Sequence, residues 1–517
     1  MPQRALSAAA AHRKGYIMTN QEKWLELKEL LKEIEIYGRC EGRAYFDMEC
    51  IAPEEGIEKA GEDVSLLSLQ IFRLTHADRY IGLLSELAAD SEGLSTLQKR
   101  TVELLYDQYS KTKNIPEDFA HKMDLDGNKA YADWLSAKKA KDFAKFRDSF
   151  ANVIENNRKA VQLRDVQKET VYDTLLDDYE KGGSIAQLDE FFGKLKARIL
   201  PLLHRILTDG KPIRDDFLSR PVSIPQQEAF SRYLMEIEGL RKTATVLATT
   251  EHPFTTHFGP TDVRVTTHYY ENNFISNIFS TLHEGGHALF MQNEPQENYD
   301  EFTADGMTSA MHECISRFYE NIVGRSEAFI HYIYPKLSEF AGHTFDDVSE
   351  RELYEAVNIA QPGFIRCDAD ELTYCLHILI RYELEKAFVN GEIGVDEVPA
   401  LWNAKYKEYL GLDVPDDALG CLQDVHWTGS YGYFPSYALG SAYGAQILRT
   451  MEKDFDFYGA IREGNFGKIL DWLKERVFPI ASLMTPDEWI RTITGESLNV
   501  DYFLDYLEEK FTALYRL

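Results

Sequence analysis

Cysteine is sparse in this chain and never closely paired. Cys40, Cys50, Cys314, Cys367, Cys375 and Cys421 are spread over 517 residues with no C-x-x-C spacing. That argues against a disulfide framework and fits a reducing, cytoplasmic compartment. Long apolar runs are missing too: none reaches the roughly 18 residues of a membrane-crossing helix. Basic residues are in deficit, with 56 Lys and Arg against 85 Asp and Glu and a net charge of −29. Such a surface repels nucleic acid and anionic membranes, so neither is expected as a partner. An acidic ligand would need a local basic cluster to enter. Residues 1–17, in contrast, contain no acid at all. They also lack the apolar stretch of a secretory signal, and we read them as a disordered extension ahead of a domain spanning 18–517.

Strand-like alternation is the other scarcity. Thr19-Asn-Gln-Glu22 reads as a helix-opening capping box, followed by Leu27, Leu30, Leu31 and Ile34 at helical spacing. From there to about residue 250 the pattern predicts helix after helix, over Leu66–Leu87, Thr96–Lys111, Lys139–Gln162 and Glu169–Tyr179. Asp124-Leu-Asp-Gly-Asn128 resembles the start of a calcium loop. It carries Lys129 where the turn glycine belongs and Leu135 where the bidentate Glu belongs, so we read it as a turn. One short strand is expected at Val263 and Val265, where a sheet edge could take an extended peptide.

What the chain does have is Thr281-Leu-His-Glu-Gly-Gly-His-Ala288. Ile275, Ile278, Phe279, Leu282, Ala288, Leu289 and Phe290 give this stretch helical spacing. Residues i and i+4 of a helix share a face, so His283 and His287 can aim two imidazoles at one metal ion. Glu284 lies about 100° round the helix. It is placed to work on a metal-activated water rather than to bind the metal, the division of labour found in metal hydrolases. Gly285 and Gly286 weaken a helix interior, which predicts close approach by a substrate backbone or a packed strand. A third ligand should come from a separate element, leaving one position open. Glu313, on a helix that Asp305 would cap, is the best candidate, although it could instead pair with Arg317 four residues on. His312 would point about 100° away.

Two further stretches stand out. Pro362-Gly-Phe-Ile-Arg-Cys-Asp-Ala-Asp-Glu371 sets Arg366 among acids, with Asp368 and Asp370 as candidate ion-pair partners. Gly420 to Tyr437 packs His426, Trp427 and three tyrosines into a glycine-rich loop, which could supply oxyanion donors or simply pack as aromatic core.

Taken together, these stretches resemble the M32 metallocarboxypeptidases, the thermostable-carboxypeptidase family. The resemblance rests on His252-Pro-Phe254, Asp262-Val-Arg-Val-Thr266, His283-Glu-Gly-Gly-His287, His312-Glu-Cys314, Ile365-Arg-Cys-Asp-Ala-Asp370 and Gly420-Cys-Leu-Gln-Asp-Val-His-Trp427. It implies a mainly α fold with a deep substrate groove, akin to neurolysin and angiotensin-converting enzyme. It also implies a homodimer, peptide substrates, broad specificity, and zinc or cobalt, one ion per subunit. By the same resemblance His283, His287 and Glu313 are the ligands and Glu284 the general base. His426 with Tyr433 or Tyr437 would stabilise the oxyanion, and Arg366, with Arg264 in reserve, would bind the substrate's C-terminal carboxylate. Cys314-Ile315 departs from the Ser-Gln that family members often carry after the liganding Glu. An oligopeptidase or dipeptidase at the same metal, and a helical scaffold with a vestigial site, are the competing expectations. The intact ligand set and base argue against the scaffold.

Overall fold

The computed structural model describes residues 17–304 and 306–517. All of the expected extension but Ile17, and the expected cap Asp305, lie outside those residues. The described chain gathers into two compact units. The first holds the residues through Tyr109 together with 297–303, and the second holds 110–296 and 304–517.

The first unit contains α1 (Asn20–Cys50), α2 (Ile57–Thr75), α3 (Asp78–Ala89), most of α4 (Thr96–Thr112) and most of a short helix at Gln296–Asp300. The Thr19–Glu22 capping box forms as the sequence predicts. The core is leucine-rich, with Trp24, Leu27 and Leu31 packed against Leu83, Leu84 and Leu87. The helix expected over Leu66–Leu87 is broken at His76–Ala77, where Ala77 takes an extended conformation before α3.

The second unit opens with α5 (Glu117–Ala140), α6 (Ala144–Gln162), α7 (Val171–Leu176), α8 (Ile185–Asp209) and α9 (Ile224–Glu238). Three expectations are corrected here. The calcium-loop-like stretch at 124–128 is not a turn but the middle of α5, supported by Lys122–Asp126 and Lys129–Asp133 ion pairs one helical turn apart. The helix expected from Lys139 begins at Ala144, because Lys141 takes a left-handed conformation with φ 58° and ends α5. The helix expected over Glu169–Tyr179 shrinks to α7, with Thr170 as its cap.

Next come β1 (Thr245–Thr249), β2 (Thr255–His257) and β3 (Val263–Thr267). The expected strand is β3, but it does not stand alone. It is the middle of a sheet ordered β1-β3-β2, parallel to β1 and antiparallel to β2. Both of its edges are therefore used, and any peptide pairing would fall to an outer strand. Val263 and Val265 point into the core, as alternation predicts.

The remainder is helical: α10 (Phe274–Asn293), α11 (Gln296–Asp300), α12 (Ser309–Arg317), a π-helical turn at Phe318–Val323, α13 (Glu327–Phe340), α14 (Glu350–Ala356), α15 (Tyr374–Asn390), α16 (Val398–Leu410), α17 (Pro435–Asp454), α18 (Phe457–Arg462), α19 (Phe466–Arg476), α20 (Pro486–Thr494) and α21 (Asp501–Tyr515). The helix expected to be capped by Asp305 begins at Ser309, with Thr308, three residues after Asp305, in the N-cap position. Helices α10, α12 and α17 pack side by side within one large core. Among the described residues no helix is long and apolar enough to cross a membrane.

Candidate active site

Helix α10 is buried on almost every side. Leu282, Ala288, Leu289 and Phe290 are fully enclosed, and the two histidines of the motif face the remaining opening with about a fifth of each side chain exposed. The glycines of the motif do not receive a substrate or a strand, as expected from sequence, but two other parts of the core. A Cβ at Gly286 would lie 2.6 Å from the Cα of Ser316, so this glycine lets α10 settle against the backbone of α12. A Cβ at Gly285 would run into the carboxylate of Glu238, the last residue of α9.

That close packing brings Glu313 to the histidines. His283, His287 and Glu313 each offer one ligand atom, and these atoms lie within 4.8 Å of one another. The His283 Nε2 atom is 3.9 Å from Glu313 Oε1, and His287 Nε2 is 3.6 Å from Oε2. Two nitrogens and a carboxylate from two elements fit a divalent cation. Gly440 on α17 packs against Glu313, where a Cβ would lie 2.9 Å from the Glu313 Cβ.

The far side of each ring is also engaged. His283 Nδ1 is 2.9 Å from Glu320 Oε2, and His287 Nδ1 is 2.6 Å from His312 Nδ1. Such outer contacts fix ring orientation and leave Nε2 facing inward. His312 thus meets the outer nitrogen of His287 instead of standing in the group with Glu313. Arg317 closes a circuit: its Nε donates to Glu313 Oε1 at 2.8 Å and its Nη1 to Glu320 Oε2 at 3.2 Å. The Glu313–Arg317 pair expected as an alternative to metal binding therefore coexists with a ligand geometry. Burial works to raise the Glu320 carboxyl, but Arg317 and His283 hold it down at about 2. Burial, then His312, push His287 well below the usual histidine range, which keeps it neutral. For His283 burial acts downward too, yet Glu313 and Glu320 raise it overall.

Glu284 is buried. Thr255 of β2 donates to its Oε2 at 2.6 Å and to its backbone carbonyl at 3.0 Å. Burial raises its carboxyl, against the opposing effect of His283 and Thr255.

On the other wall, the loop after Gly420 turns into α17 and brings His426, Tyr433 and Tyr437 together. Tyr437 Oη is 3.5 Å from His426 Nε2, and the Tyr433 ring lies 5.3 Å from that of Tyr437 and 5.5 Å from His426. Burial, with help from the arginines nearby, pushes His426 down to about 4, so its imidazole is neutral. Burial pushes Tyr433 up to about 12 and Tyr437 well above its ordinary range, so both phenols stay protonated donors.

Arg366 joins this wall, with its guanidinium 5.0 Å from the Tyr437 ring centre. Its partner is neither Asp368 nor Asp370, as the sequence suggests, but Asp424. Asp370 instead caps the start of the next segment through Leu372 and Thr373. Arg366 Nε and Nη2 both lie 3.0 Å from Asp424 Oδ1, and Nη1 donates to Tyr374 Oη at 3.0 Å. Arg381, wholly buried, takes the other oxygen of Asp424 at 2.6 Å. Two guanidiniums thus share one carboxylate, which leaves these three groups with a surplus of positive charge. Arg264 pairs with Asp262 at 3.0 Å and lies over the Phe258 ring, within the β2–β3 hairpin.

Comparison with known proteins settles the lineage. Residues 26–511 match the family described as carboxypeptidase Taq (M32) metallopeptidase. The chain belongs to the M32 metallopeptidase family. Carboxypeptidase 1 of Bacillus subtilis is 38% identical over 494 residues, covering 95% of this chain and 98% of that one. Thermostable carboxypeptidase 1 of Thermus thermophilus is 33% identical over 514 residues, covering 96% and 100%. The crystal structure of the M32 carboxypeptidase from Deinococcus radiodurans superposes with a TM-score of 0.92 at 30% identity, covering 96% and 100%. Membership of the M32 family makes this chain a metal-dependent peptide hydrolase of carboxypeptidase type. The mainly helical architecture with one small sheet agrees with the M32 expectation.

Sequence reading missed Thr255, Glu320, Asp424 and Tyr374. Glu320 had a signal: it falls seven residues after Glu313, two helical turns along the same face. Asp424 sat inside a quoted motif without a role. Nothing in the sequence tied Thr255 to Glu284.

Proposed function

We propose that the chain is a zinc-type carboxypeptidase that removes single residues from peptide C-termini with broad specificity. The observation that carries this is the His283–His287–Glu313 set, with the ring Nδ1 atoms occupied elsewhere and the Nε2 atoms turned inward. These three residues would hold the metal. Two imidazoles and one carboxylate suit zinc, with cobalt an acceptable substitute. When bound, the metal supplies a Lewis acid that lowers the pKa of water and polarises the scissile carbonyl.

The protein's own groups account for the rest. Glu284 takes a proton from the attacking water and returns it to the leaving amine, its free oxygen aimed by the Thr255 bond. Burial, by raising its carboxyl, makes it a stronger base than a surface glutamate. His426 and Tyr433 or Tyr437 are neutral donors for the developing oxyanion. Arg366 receives the substrate's terminal carboxylate. Asp424 and Tyr374 occupy three of its five N–H donors, and the rest suit a planar carboxylate. The surplus of positive charge among Arg366, Arg381 and Asp424 answers the need for a local cation in a chain of net charge −29. Arg264 is the reserve residue for this role.

The reading extends to a cytoplasmic homodimer acting on peptides, with neither nucleic acid nor membrane as partner. Leu66, Leu69 and Phe72 of α2 are 43–64% exposed, and α2 buries none of its residues, a face suited to a second copy. Sedimentation at several chain concentrations, and fractionation of cells, test these two points.

Glu284→Gln tests the chemistry. We expect the metal content of the purified chain to be unchanged and kcat on an N-blocked dipeptide to fall about 10²-fold or more. Near-normal kcat would sink the assignment. Product analysis on a longer peptide should show single residues leaving the C-terminus rather than internal cuts.

A further inference from the structure

Glu180 is a buried carboxylate that the chemistry above does not use. It lies at the end of a short strap, residues 171–180, that begins with α7. Its Oε1 accepts from Tyr443 Oη on α17 at 2.8 Å, and its Oε2 accepts from Thr308 Oγ1 at 2.9 Å. Thr308 is the residue before α12, the helix that carries Glu313. Its hydroxyl does not cap its own helix but turns to Glu180 instead. The backbone carbonyl of Tyr179 accepts from Ser309 N at 3.2 Å, which ties the same helix start a second time. Tyr443 lies three residues after Gly440, the residue packed on Glu313. Both neighbours of Glu313, the helix it sits on and the helix behind it, are therefore held by one carboxylate.

The strap reaches the other wall as well. The Tyr179 ring meets the Tyr433 ring edge-on at 5.2 Å. Gly432, with φ +92°, lies against the backbone of Leu175 and Leu176, where a Cβ would be 2.9 Å away.

We propose that Glu180 is a positioning residue, which through Thr308 and Tyr443 sets where Glu313 stands relative to the two histidines. The assignment rests on reading Glu313 as a metal ligand. Ionised Glu180 accepts both hydroxyl bonds and places its charge at the N-terminus of α12, where a negative charge is favoured. An amide of the same shape accepts through a single oxygen. The carboxylate form is costly, because burial raises the group to about 7 despite both bonds.

Around the group, Tyr443 and Cys314 stay neutral, since burial raises both. Asp177 faces it as an ion pair with Lys168 and Lys181, and Asp487 with Arg491, across a cavity of about 900 Å³. Glu180 is thus the group here that changes charge near neutrality.

The test is Glu180→Gln, with Thr308→Val and Tyr443→Phe as single-bond controls. At pH 8 we expect wild-type metal stoichiometry, KM within twofold, and kcat lower by about 10-fold, a cost in the range of a small misplacement. At pH 5.5, where Glu180 is protonated, the Gln variant and wild type should have the same kcat. The metal-free Gln variant should melt at or above the wild-type temperature at pH 8, because it no longer buries a charge. A purely structural role predicts the reverse, a lower melting temperature with kcat per folded chain unchanged. Wild-type kcat at pH 8 in the Gln variant, or full activity in both controls, overturns the inference alone. A Glu313→Gln chain that still binds metal overturns the ligand reading and this inference with it.

Discussion

Replacing Arg366 with Ala separates carboxylate recognition from architecture. The side chain is 7% exposed and makes three polar contacts, so its removal could be mistaken for a folding defect. Asp424 decides the matter. It is held well below the usual carboxylate range, against its burial, by Arg381 first and Arg366 second. Without Arg366 it still has Arg381 at 2.6 Å. The variant therefore avoids the roughly 3–5 kcal/mol cost of a buried charge left with no partner. Substrate pays instead. A hydrogen bond to a charged group contributes about 1.5–3 kcal/mol, which converts to a loss of roughly 10- to 150-fold in kcat/KM on free-acid peptides. The same peptides with a C-terminal amide lack the charge, and wild type should cleave them poorly. On them the variant should lose little more. Arg366→Lys should fall between, since an ammonium keeps the charge but not the planar fork. The assay is hydrolysis of paired acid and amide substrates, with circular dichroism to check the fold. Equal losses on both substrates with intact helicity would refute the role and leave Arg366 as an anchor for Asp424.

Three other outcomes follow from the geometry. His426→Ala and Tyr→Phe changes at 433 and 437 should identify the oxyanion donors, each true donor costing about 10² to 10³ in kcat with little change in KM. If none of the three lowers kcat tenfold, the loop is packing only. Glu320→Gln should weaken metal affinity about 10- to 100-fold, measured by competition with a chelating dye, because it loosens His283. Unchanged affinity would mean the 2.9 Å contact does not orient the ring. Glu385, on α15, accepts from Tyr172 and Gly432 and is raised by burial to about 8. A carboxyl raised on folding contributes stability below its unfolded pKa and loses it as pH rises through the folded value. Glu385→Gln should therefore gain melting temperature relative to wild type between pH 6 and pH 9, and a constant difference across that range would contradict it.

The grouping of His283, His287 and Glu313 was the most legible feature of the chain, because its core is carried by a short spacing. His283 and His287 are one helical turn apart, and Glu313 follows in α12, the second helix after the motif helix, as the need for a third ligand from a separate element suggests. Helix α10 was legible for the same reason. Helix ends were not. Lys141 takes a left-handed conformation and the chain breaks at His76–Ala77 with no glycine or proline to mark either one. The partner of Arg366 was invisible because 58 residues separate it from Asp424, while two acids stand two and four positions away. Nearness in sequence favoured the wrong acids, since Asp370 was already engaged in closing its own turn. The glycine pair was read correctly as a site of close approach. What approaches was unreadable, because Glu238 and Ser316 carry no signal that points to the motif.

The contact between Gly285 and Glu238 also governs which mutations this chain can accept, and in what order. Any side chain at 285 meets a carboxylate that is buried, raised far above its usual range and without a hydrogen-bond partner for either oxygen. Shortening residue 238 first removes the obstacle and replaces an unsatisfied polar group with space. Changing 285 first creates a collision inside the helix that carries both histidines. The two positions are thus one locus with a permitted order of substitution, and engineering of the motif helix should start in α9, outside the motif itself.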